Sequence, residues 1–298
     1  MGYINIFLNS DAKINIKNSQ LNFVSKDKSM DYPLEDVNCV MIDNPNTVVS
    51  FTTLAKLAEY GILTYVCDNK HLPNGVLLPF YNHYQTLSVY NNQIIMTKPL
   101  QKNLWQQIIK NKILNQNEVL NICGFNNKLK PLANSVLSGD STNNEAKASA
   151  VYFKCLFGKG FSRNNDLLLN NLLLNYGYAV VRGLVARSVV THGLLPFLGI
   201  FHHNQFNQFN LADDLIEVFR PLVDLFVKIE LKDAKDIGAK TKFRLCDLIN
   251  YEVLIDNQKQ TLNNAIDMFV ESFAKSVNQK NNCLKTIQVF GLNRHKYE

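Results

Sequence analysis

The part of the chain before residue 85 alternates between short apolar runs and turn-forming residues, which is typical of β-strands. Apolar and polar residues alternate over residues 12–17, and an apolar-leaning run spans residues 37–42. Clusters of Asn, Ser, Asp, Pro and Gly separate such runs, and these residues favour turns. Residues 52–59 have helical spacing instead, and Gly61 follows as a stop signal. The pattern predicts a β-rich unit that contains one helix.

The hydrophobic period changes from about residue 91 onward, where apolar residues recur every three or four positions, as at Leu104 and Ile108. This spacing predicts α-helices. Further helices are predicted from a cap at Ser141 or Thr142 to Gly158, over residues 167–181 after a cap at Asp166, and onward to Gly193. The predicted fold class is therefore α+β. A small amino-terminal β-sandwich-like domain covers residues 1–85, and a larger all-α domain covers residues 86–298.

The composition fits a globular chain, because 46% of the 298 residues are hydrophobic and can form a packed core. Basic residues number 31 and acidic residues 25, which gives a formal net charge of +6. This balance permits a nucleic-acid partner but does not require one.

Two features bear on the cellular compartment. The most apolar long stretch, residues 178–200, is interrupted by two arginines, a histidine and a proline, so we predict that no segment spans a membrane. No secretory signal is visible at the amino terminus, and the six cysteines include no Cys-x-x-Cys pair. These features predict a cytoplasmic protein with reduced thiols.

The segment 199–221 is the richest in residue types that carry chemistry. Asp214 and Glu217 are three positions apart and project from one face of a predicted helix. His202 and His203 are adjacent, so only one of them can serve a given site. A plainer interpretation is also open, in which the acids stabilise the helix dipole or face solvent and the histidines pack.

A second carboxylate is available at Glu145, early in its own predicted helix, where the helix dipole offers the same plain alternative. One histidine with two or three carboxylates suits a hard divalent cation, Mg²⁺ or Mn²⁺. Zinc is a poorer match, because the sequence has no H-E-x-x-H motif and no cysteine pair.

At these positions the sequence resembles a known family, CRISPR-associated protein one, the integrase and endonuclease of CRISPR spacer acquisition. The resemblance covers essentially the whole chain. It rests on Glu145, the Asn-Tyr-Gly-Tyr run at 175–178, and His202 followed fifteen residues later by Glu217 in a D-L-x-E-x-F-R-P frame. The stretch rich in histidine and asparagine before that frame is similar to the branch found with Cas9-type (type II) systems.

The resemblance implies a metal site and a reaction. Glu145, His202 and Glu217 would be catalytic metal ligands for Mg²⁺ or Mn²⁺, and Asp214 an auxiliary residue. The run Gly-Ile-Phe-His at 199–202 matches the family's Gly-Phe-Leu-His, which selects His202 over its neighbour. The implied reaction joins the 3′-OH ends of a short donor DNA to the repeat boundary of the CRISPR array by transesterification, with nicking of branched DNA at the same site.

The resemblance also implies partners. The chain would form a homodimer through its amino-terminal β unit, and two dimers would flank a dimer of CRISPR-associated protein two in a heterohexamer on double-stranded donor and repeat DNA. Two departures from the family pattern are Val218, where many members have Pro or Glu, and residues 204–210, which lack a Gly-Arg. Both make contacts between this loop and DNA hard to transfer.

Basic residues near the candidate site are predicted to contact DNA phosphates as a group. The candidates are Arg182, Arg187, Arg220, Lys240, Lys242 and Arg244. For each one alone, a solvated surface position is an equally good interpretation. Two alternatives to the integrase stay open: a non-catalytic DNA-binding assembly scaffold, and a stand-alone nuclease that acts on branched DNA.

Overall fold

The structure is a computed structural model that describes residues 2–26, 28–69, 71–79 and 85–296. The chain forms two compact units: residues 1–82 with residues 238–247, and residues 83–237 with residues 248–298. The boundary predicted near residue 85 adjoins residues 80–84, which lie outside the described part of the chain.

The first unit contains two four-stranded sheets and one helix from its amino-terminal part. One sheet has the order β1 (Ile4–Leu8), β5 (Val37–Ile42), β7 (Leu63–Cys67) and β8 (Pro73–Leu77). Its first three strands are parallel and β8 is antiparallel. The other has the order β4 (Ser29–Pro33), β3 (Gln20–Val24), β2 (Lys13–Lys17) and β6 (Val48–Val49). Helix α1 spans Phe51–Glu59, after the cap Ser50.

One hydrophobic core joins the two sheets. Ile14 and Phe23 come from the second sheet and Val40 from the first, and all three are buried together with Leu57 of α1. Strand β5 coincides with the predicted apolar run because all six of its residues are buried, as expected for a strand between parallel neighbours. Strand β4 was not predicted, since most of it is exposed and carries no apolar alternation.

The second unit is mainly helical. Its helices are α2 (Thr86–Ile94), α3 (Lys98–Ile122), α4 (Leu129–Asn134), α5 (Asn144–Phe157), α6 (Leu169–Thr191), α7 (Asn210–Leu215), α8 (Arg220–Ile229) and α10 (Leu262–Gln279). The α+β fold class, with sheets first and a helical unit after them, is confirmed. The unit also contains an antiparallel sheet in the order β10 (Gln258–Thr261), β9 (Glu252–Ile255) and β11 (Ile287–Gln288). The prediction of an all-α unit missed this sheet, because its strands are too short to show an alternation of apolar and polar residues.

Helices α3 and α6 are the central elements of this unit. Helix α6 is one continuous helix, although two were predicted over residues 167–193. Helix α3 buries polar residues as well as apolar ones, which explains why its pattern gives only a weak amphipathic signal. Helix α5 begins after Asn143, whose side chain caps the helix, rather than after Ser141 or Thr142.

The segment 238–247 belongs to the first unit and carries helix α9 (Ala239–Asp247). Lys242 Nζ lies 3.0 Å from Asp43 Oδ2, and Cys246 Sγ lies 3.6 Å from Met41 Sδ. The predicted division placed this segment in the helical domain, because sequence order gives no sign that a helix returns to the earlier unit.

No helix within the described residues is both long and apolar enough to cross a membrane.

Candidate metal centre

Glu145 is held at the first turn of α5 by two side chains. Asn143 accepts a hydrogen bond from the backbone N–H of Ala146 at 3.3 Å, and the Asp140 carboxylate accepts from the N–H groups of Asn144 and Glu145 at 2.8 and 3.0 Å. These bonds satisfy donors that the start of a helix leaves free. The start of α5 and the Cα of Glu145 are therefore fixed.

Glu217 lies in a short 3₁₀ turn, Ile216–Val218, between α7 and α8. Arg220 Nε donates to Glu217 Oε1 at 2.9 Å. The Asn115 side chain on α3 donates to the Val218 carbonyl at 3.1 Å and accepts from the Val289 N–H at 3.1 Å. The Asn115 amide therefore connects the turn to α3 and to the carboxyl-terminal segment. These bonds hold the backbone of the turn that carries the buried Glu217 carboxylate.

Lys112 joins the two glutamates that the sequence singled out. Its Nζ lies 2.6 Å from Glu145 Oε1 and 2.6 Å from Glu217 Oε2, and its side chain is only 8% exposed. The ammonium is therefore the close cationic partner of Glu217 Oε2 as well as of Glu145 Oε1. The structure thus brings Glu145 and Glu217 to one point, with an ammonium between them.

Lys112 was not among the predicted site residues, although the sequence contains a signal for it. The residue lies four positions after Ile108 and three after Ile109, so it falls on the apolar face of α3. A lysine is almost never buried without a partner. A lysine on an apolar helix face therefore indicates a buried carboxylate that it pairs with.

The charges at this point stabilise one another. Burial alone would raise the pKa of Glu217, but Arg220 and Lys112 outweigh it and lower that pKa to about 2. Burial would lower the pKa of Lys112, yet Glu217 and Glu145 raise it. The Glu217 carboxylate and the ammonium are therefore both ionised across the neutral pH range.

His202 lies on the loop between α6 and α7, where Asp214 fixes it. Asp214 is fully buried, and its Oδ1 lies 2.7 Å from His202 Nδ1. The same carboxylate accepts the backbone N–H groups of Ile200, Phe201 and His202. An Nδ1–H that donates to Asp214 leaves Nε2 as the ring nitrogen able to bind a metal, an arrangement common for metal-ligating histidines.

Two further contacts explain the run at 199–202. A Cβ on Gly199 would lie 2.4 Å from the His202 carbonyl oxygen and 2.7 Å from Asp214 Oδ2, so only glycine fits there. Phe201 stacks on Trp105 of α3, with ring centroids 4.2 Å apart and planes 4° apart. The hydrogen bond that His202 donates to Asp214 raises the pKa of His202 against the effect of burial, and the charge of Glu217 adds to this increase.

The donor set fits a divalent cation, although the structure does not draw all three groups together. Within residues 2–26, 28–69, 71–79 and 85–296, no three His, Cys, Asp or Glu side chains form a group that could hold a metal ion. Glu145 and Glu217 meet at Lys112, and His202 stands apart with its Nε2 available. Two carboxylates and one imidazole suit Mg²⁺ or Mn²⁺.

A cavity of about 160 Å³ adjoins Lys112 and Glu217. Its wall includes Gln116, Asp224, Tyr178 and Arg220, with Phe153 and Arg163. Asp224 accepts a hydrogen bond from the Tyr178 hydroxyl. Burial raises the pKa of Asp224 to about 6, although the hydrogen bond from Tyr178 and the charges of Arg163 and Arg220 oppose the rise.

Three of the basic residues predicted to bind DNA are engaged inside the protein. Lys242 is buried against Asp43, Arg187 is buried and donates to Asn263 Oδ1 at 2.6 Å, and Arg220 pairs with Glu217. In this structure the charges of Lys242 and Arg187 are neutralised or hydrogen-bonded away from solvent, and Arg220 is a partner of Glu217. A DNA contact by any of these three side chains stays a prediction.

The other three basic residues keep some exposure. Arg182 pairs with Asp213 and lies over the Phe209 ring at 5.3 Å. Lys240 is exposed, and Arg244 is half-buried. Contact of these three side chains with DNA stays a prediction.

Comparison with known proteins finds relatives whose alignments cover up to the whole chain. The profile of the family described as CRISPR associated protein Cas1 matches residues 6–243. A relative from Neisseria meningitidis serogroup C (strain 8013), named CRISPR-associated endonuclease Cas1, is 38% identical over 306 aligned positions that cover 100% of both chains. CRISPR-associated endonuclease Cas1 1 from Thermodesulfovibrio yellowstonii is 26% identical and covers 76% of this chain and 79% of that protein.

Solved structures share the fold at low sequence identity. A casposase bound to integration product has a TM-score of 0.79 and 18% identity, and the match covers 94% of this chain and 92% of that one. A CAS1 protein from Thermotoga maritima has a TM-score of 0.72 and 15% identity, with 92% and 97% covered. A chain of a Cas6-RT-Cas1–Cas2 complex has a TM-score of 0.70 and 17% identity, and the match covers 94% of this chain and 35% of that one.

Proposed function

The chain belongs to the CRISPR-associated protein Cas1 family, and from that premise we propose that it is a metal-dependent DNA integrase and endonuclease of CRISPR adaptation. It joins the 3′-OH ends of a short donor DNA to the repeat boundary of a CRISPR array by transesterification. The observation that carries this proposal is the meeting of Glu145 and Glu217, from separate helical elements, at the ammonium of the buried Lys112.

The proposed roles follow from the geometry. Glu145 and Glu217 hold Mg²⁺ or Mn²⁺ through their carboxylates, and His202 offers Nε2 as a third ligand. When bound, such an ion neutralises charge on the attacked phosphate and lowers the pKa of the attacking hydroxyl. Asp214 is a positioning residue, since it fixes the His202 ring through Nδ1. Arg220 keeps Glu217 ionised and oriented.

The proposal extends to partners. Two solved relatives, a casposase bound to integration product and a Cas6-RT-Cas1–Cas2 complex, support a DNA substrate and a Cas2 partner. We infer a homodimer formed through the first unit, where Val48 and Phe51 expose apolar side chains, Phe51 to 85%. Exposed apolar side chains of this kind mark association surfaces. Two such dimers with a Cas2 dimer make the expected heterohexamer.

A strand-transfer assay with labelled donor DNA and a repeat-containing duplex tests the site. Glu145→Gln, His202→Ala and Glu217→Gln should each lower the rate by about a hundredfold or more, because each loosens ion and geometry together. Glu271→Gln, at an exposed position on α10, is the matched control and should integrate normally. DNA binding should persist in all four variants. Normal integration in Mn²⁺ by all three site variants would contradict the proposal.

Omitting Cas2 separates the integrase from the two alternatives. An integrase of the Cas1–Cas2 type loses full-site insertion without the partner but keeps nicking of branched DNA. A stand-alone nuclease acts equally well in both conditions. A non-catalytic scaffold shows neither reaction, and a chelator leaves its DNA binding unchanged.

A further inference from the structure

The ammonium of Lys112 sits among the carboxylates that the proposed metal site requires. It contacts one oxygen of Glu145 and one of Glu217, each at 2.6 Å. Arg220 contacts the other oxygen of Glu217 at 2.9 Å. Two negative charges therefore face two positive charges, so without a divalent ion the buried Glu217 and the half-buried Glu145 are already compensated.

A divalent ion and this ammonium exclude one another. An ion held by Glu145 and Glu217 would compete with the ammonium for the oxygens that face Lys112, and a hard cation binds carboxylate oxygens at about 2.0–2.6 Å. With Lys112 in place, the ion would also meet a like charge a few ångströms away in a poorly solvated pocket, where repulsion is strong. Binding of the ion therefore requires Lys112 Nζ to leave its position.

The structure provides a place for the displaced ammonium. Gln116 lies one helical turn after Lys112 on α3, and residues four apart share a helix face. Its Oε1 is buried and has no hydrogen-bond partner. Both residues line the cavity of about 160 Å³ beside Glu217, whose volume exceeds the ~30 Å³ that a water molecule occupies. An acceptor without a donor thus lies one helical turn from Lys112 on a residue that lines the same cavity, and a rotation of the Gln116 amide would bring the acceptor to the displaced ammonium.

We propose that Lys112 is a resident cation that holds Glu145 and Glu217 together before metal binds, and that its ammonium moves to Gln116 Oε1 when the divalent ion takes its place. This inference rests on the proposed metal site. In this arrangement Lys112 weakens metal binding by competition, and Gln116 strengthens it by receiving the displaced charge. The two residues therefore act on metal affinity in opposite directions.

Titration of purified full-length protein with Mn²⁺, followed by calorimetry and by the electron paramagnetic resonance signal of free Mn²⁺, tests the pair. Lys112→Met should raise Mn²⁺ affinity by about tenfold, a typical size for residues that act on a metal through its ligands. The same variant should melt at a lower temperature in chelator and regain stability in Mn²⁺. Gln116→Met should lower Mn²⁺ affinity but keep its melting temperature in chelator.

The double variant gives the sharpest result. In the Lys112→Met protein there is no ammonium for Gln116 to accept. Adding Gln116→Met should therefore leave its Mn²⁺ affinity unchanged, so the effects of the two substitutions are strongly non-additive. Equal effects of Gln116→Met in both backgrounds, or unchanged or weaker Mn²⁺ binding by Lys112→Met, would overturn the inference. Lys112→Gln serves as the second variant if Lys112→Met folds poorly without metal.

The test distinguishes this inference from the proposed function. Glu217→Gln should lose Mn²⁺ binding if the metal site is correct. If Glu217→Gln loses binding while Lys112→Met binds as the native chain does, only the role of Lys112 is refuted. If Glu217→Gln and Glu145→Gln bind Mn²⁺ normally, the proposed metal site itself fails.

Discussion

Two buried lysines, one in each unit, contact buried carboxylates and yet have different surroundings. In the first unit Lys242 Nζ lies 3.0 Å from Asp43 Oδ2, and His71 Nδ1 lies 3.0 Å from Asp43 Oδ1. In the second unit Lys112 Nζ contacts carboxylate oxygens of both Glu145 and Glu217. Asp43 is one acid with two nitrogen partners, whereas Lys112 is one ammonium between two acids.

The two groups differ in whether the polar atoms around the lysine all have partners. Both oxygens of Asp43 have close partners, and the pair anchors α9 within the first unit. At Lys112, one ammonium serves two carboxylates, the nearby Gln116 Oε1 has no hydrogen-bond partner, and a cavity adjoins both residues. Buried polar groups are normally satisfied, so exceptions call for an explanation. The fully paired Asp43 group indicates a structural role, whereas the unpaired Gln116 oxygen close to a shared ammonium indicates that the ammonium can change partner.

The largest expected difference between the two regions is in catalysis. Glu217→Gln should lower the strand-transfer rate per folded molecule by about a hundredfold or more, and it should also lower stability, because Lys112 and Arg220 lose a charged partner. Asp43→Asn should destabilise the first unit but leave the rate per folded molecule within about twofold, because Asp43 takes no part in the reaction. Strand-transfer kinetics normalised to folded protein measure both. A comparable loss of rate in Asp43→Asn would contradict the view that Glu217 acts in the reaction and Asp43 only in the structure.

The next effect is on stability. Lys242→Met leaves the buried Asp43 without its ammonium partner and should lower the free energy of unfolding by roughly 3–5 kcal/mol, the usual size for breaking a buried pair. Mn²⁺ should not restore it. Denaturant unfolding with chelator and with Mn²⁺ measures this, and restoration by Mn²⁺ would show that the Asp43 group also binds metal.

The stability of the protein should depend on pH through Asp224, which lines the cavity beside Lys112. The folded pKa of Asp224 is about 6 and its ordinary value is 3.8, so between these values the folded state holds more protons than the unfolded state. Stability therefore falls as pH rises from about 4 to 6, by roughly 3 kcal/mol in total. Asp224→Asn keeps an acceptor for Tyr178 and lacks this fall. Parallel stability curves for the two proteins over that range would contradict the raised pKa.

The smallest expected effect separates adjacent histidines. His203 is exposed, whereas His202 is fixed by Asp214. His203→Ala should keep strand transfer within about twofold, since exposed surface changes are usually mild, while His202→Ala should lose it. Parallel assays of the two variants measure the contrast. Loss of strand transfer in His203→Ala but not in His202→Ala would show that His203 is the histidine of the site.

Sequence patterns predicted the elements whose burial is uniform or periodic. Strand β5 coincides with the predicted run because every residue in it is buried. The sheet of β9, β10 and β11 was missed because its strands have two to four residues. The return of α9 to the first unit was missed because it is a long-range contact that no local pattern encodes.

Within the candidate site, sequence identified acids and an imidazole but not what lies between them. Lys112 was overlooked, although its position on an apolar face indicates a buried charge. Lys242 was predicted as a DNA contact from its basic tract, and the tract does not show that this side chain is buried against Asp43. In both cases the deciding fact is a tertiary ion pair, which depends on the packing of distant segments.

Anomalous scattering from crystals of the protein grown with Mn²⁺ tests the central claim most directly. We expect one anomalous peak in contact with the carboxylates of Glu145 and Glu217 and with His202 Nε2, and we expect Lys112 Nζ to have moved to Gln116 Oε1. A map with no peak at this point and Lys112 still bridging the two glutamates, or with Mn²⁺ held by other residues, would contradict the account.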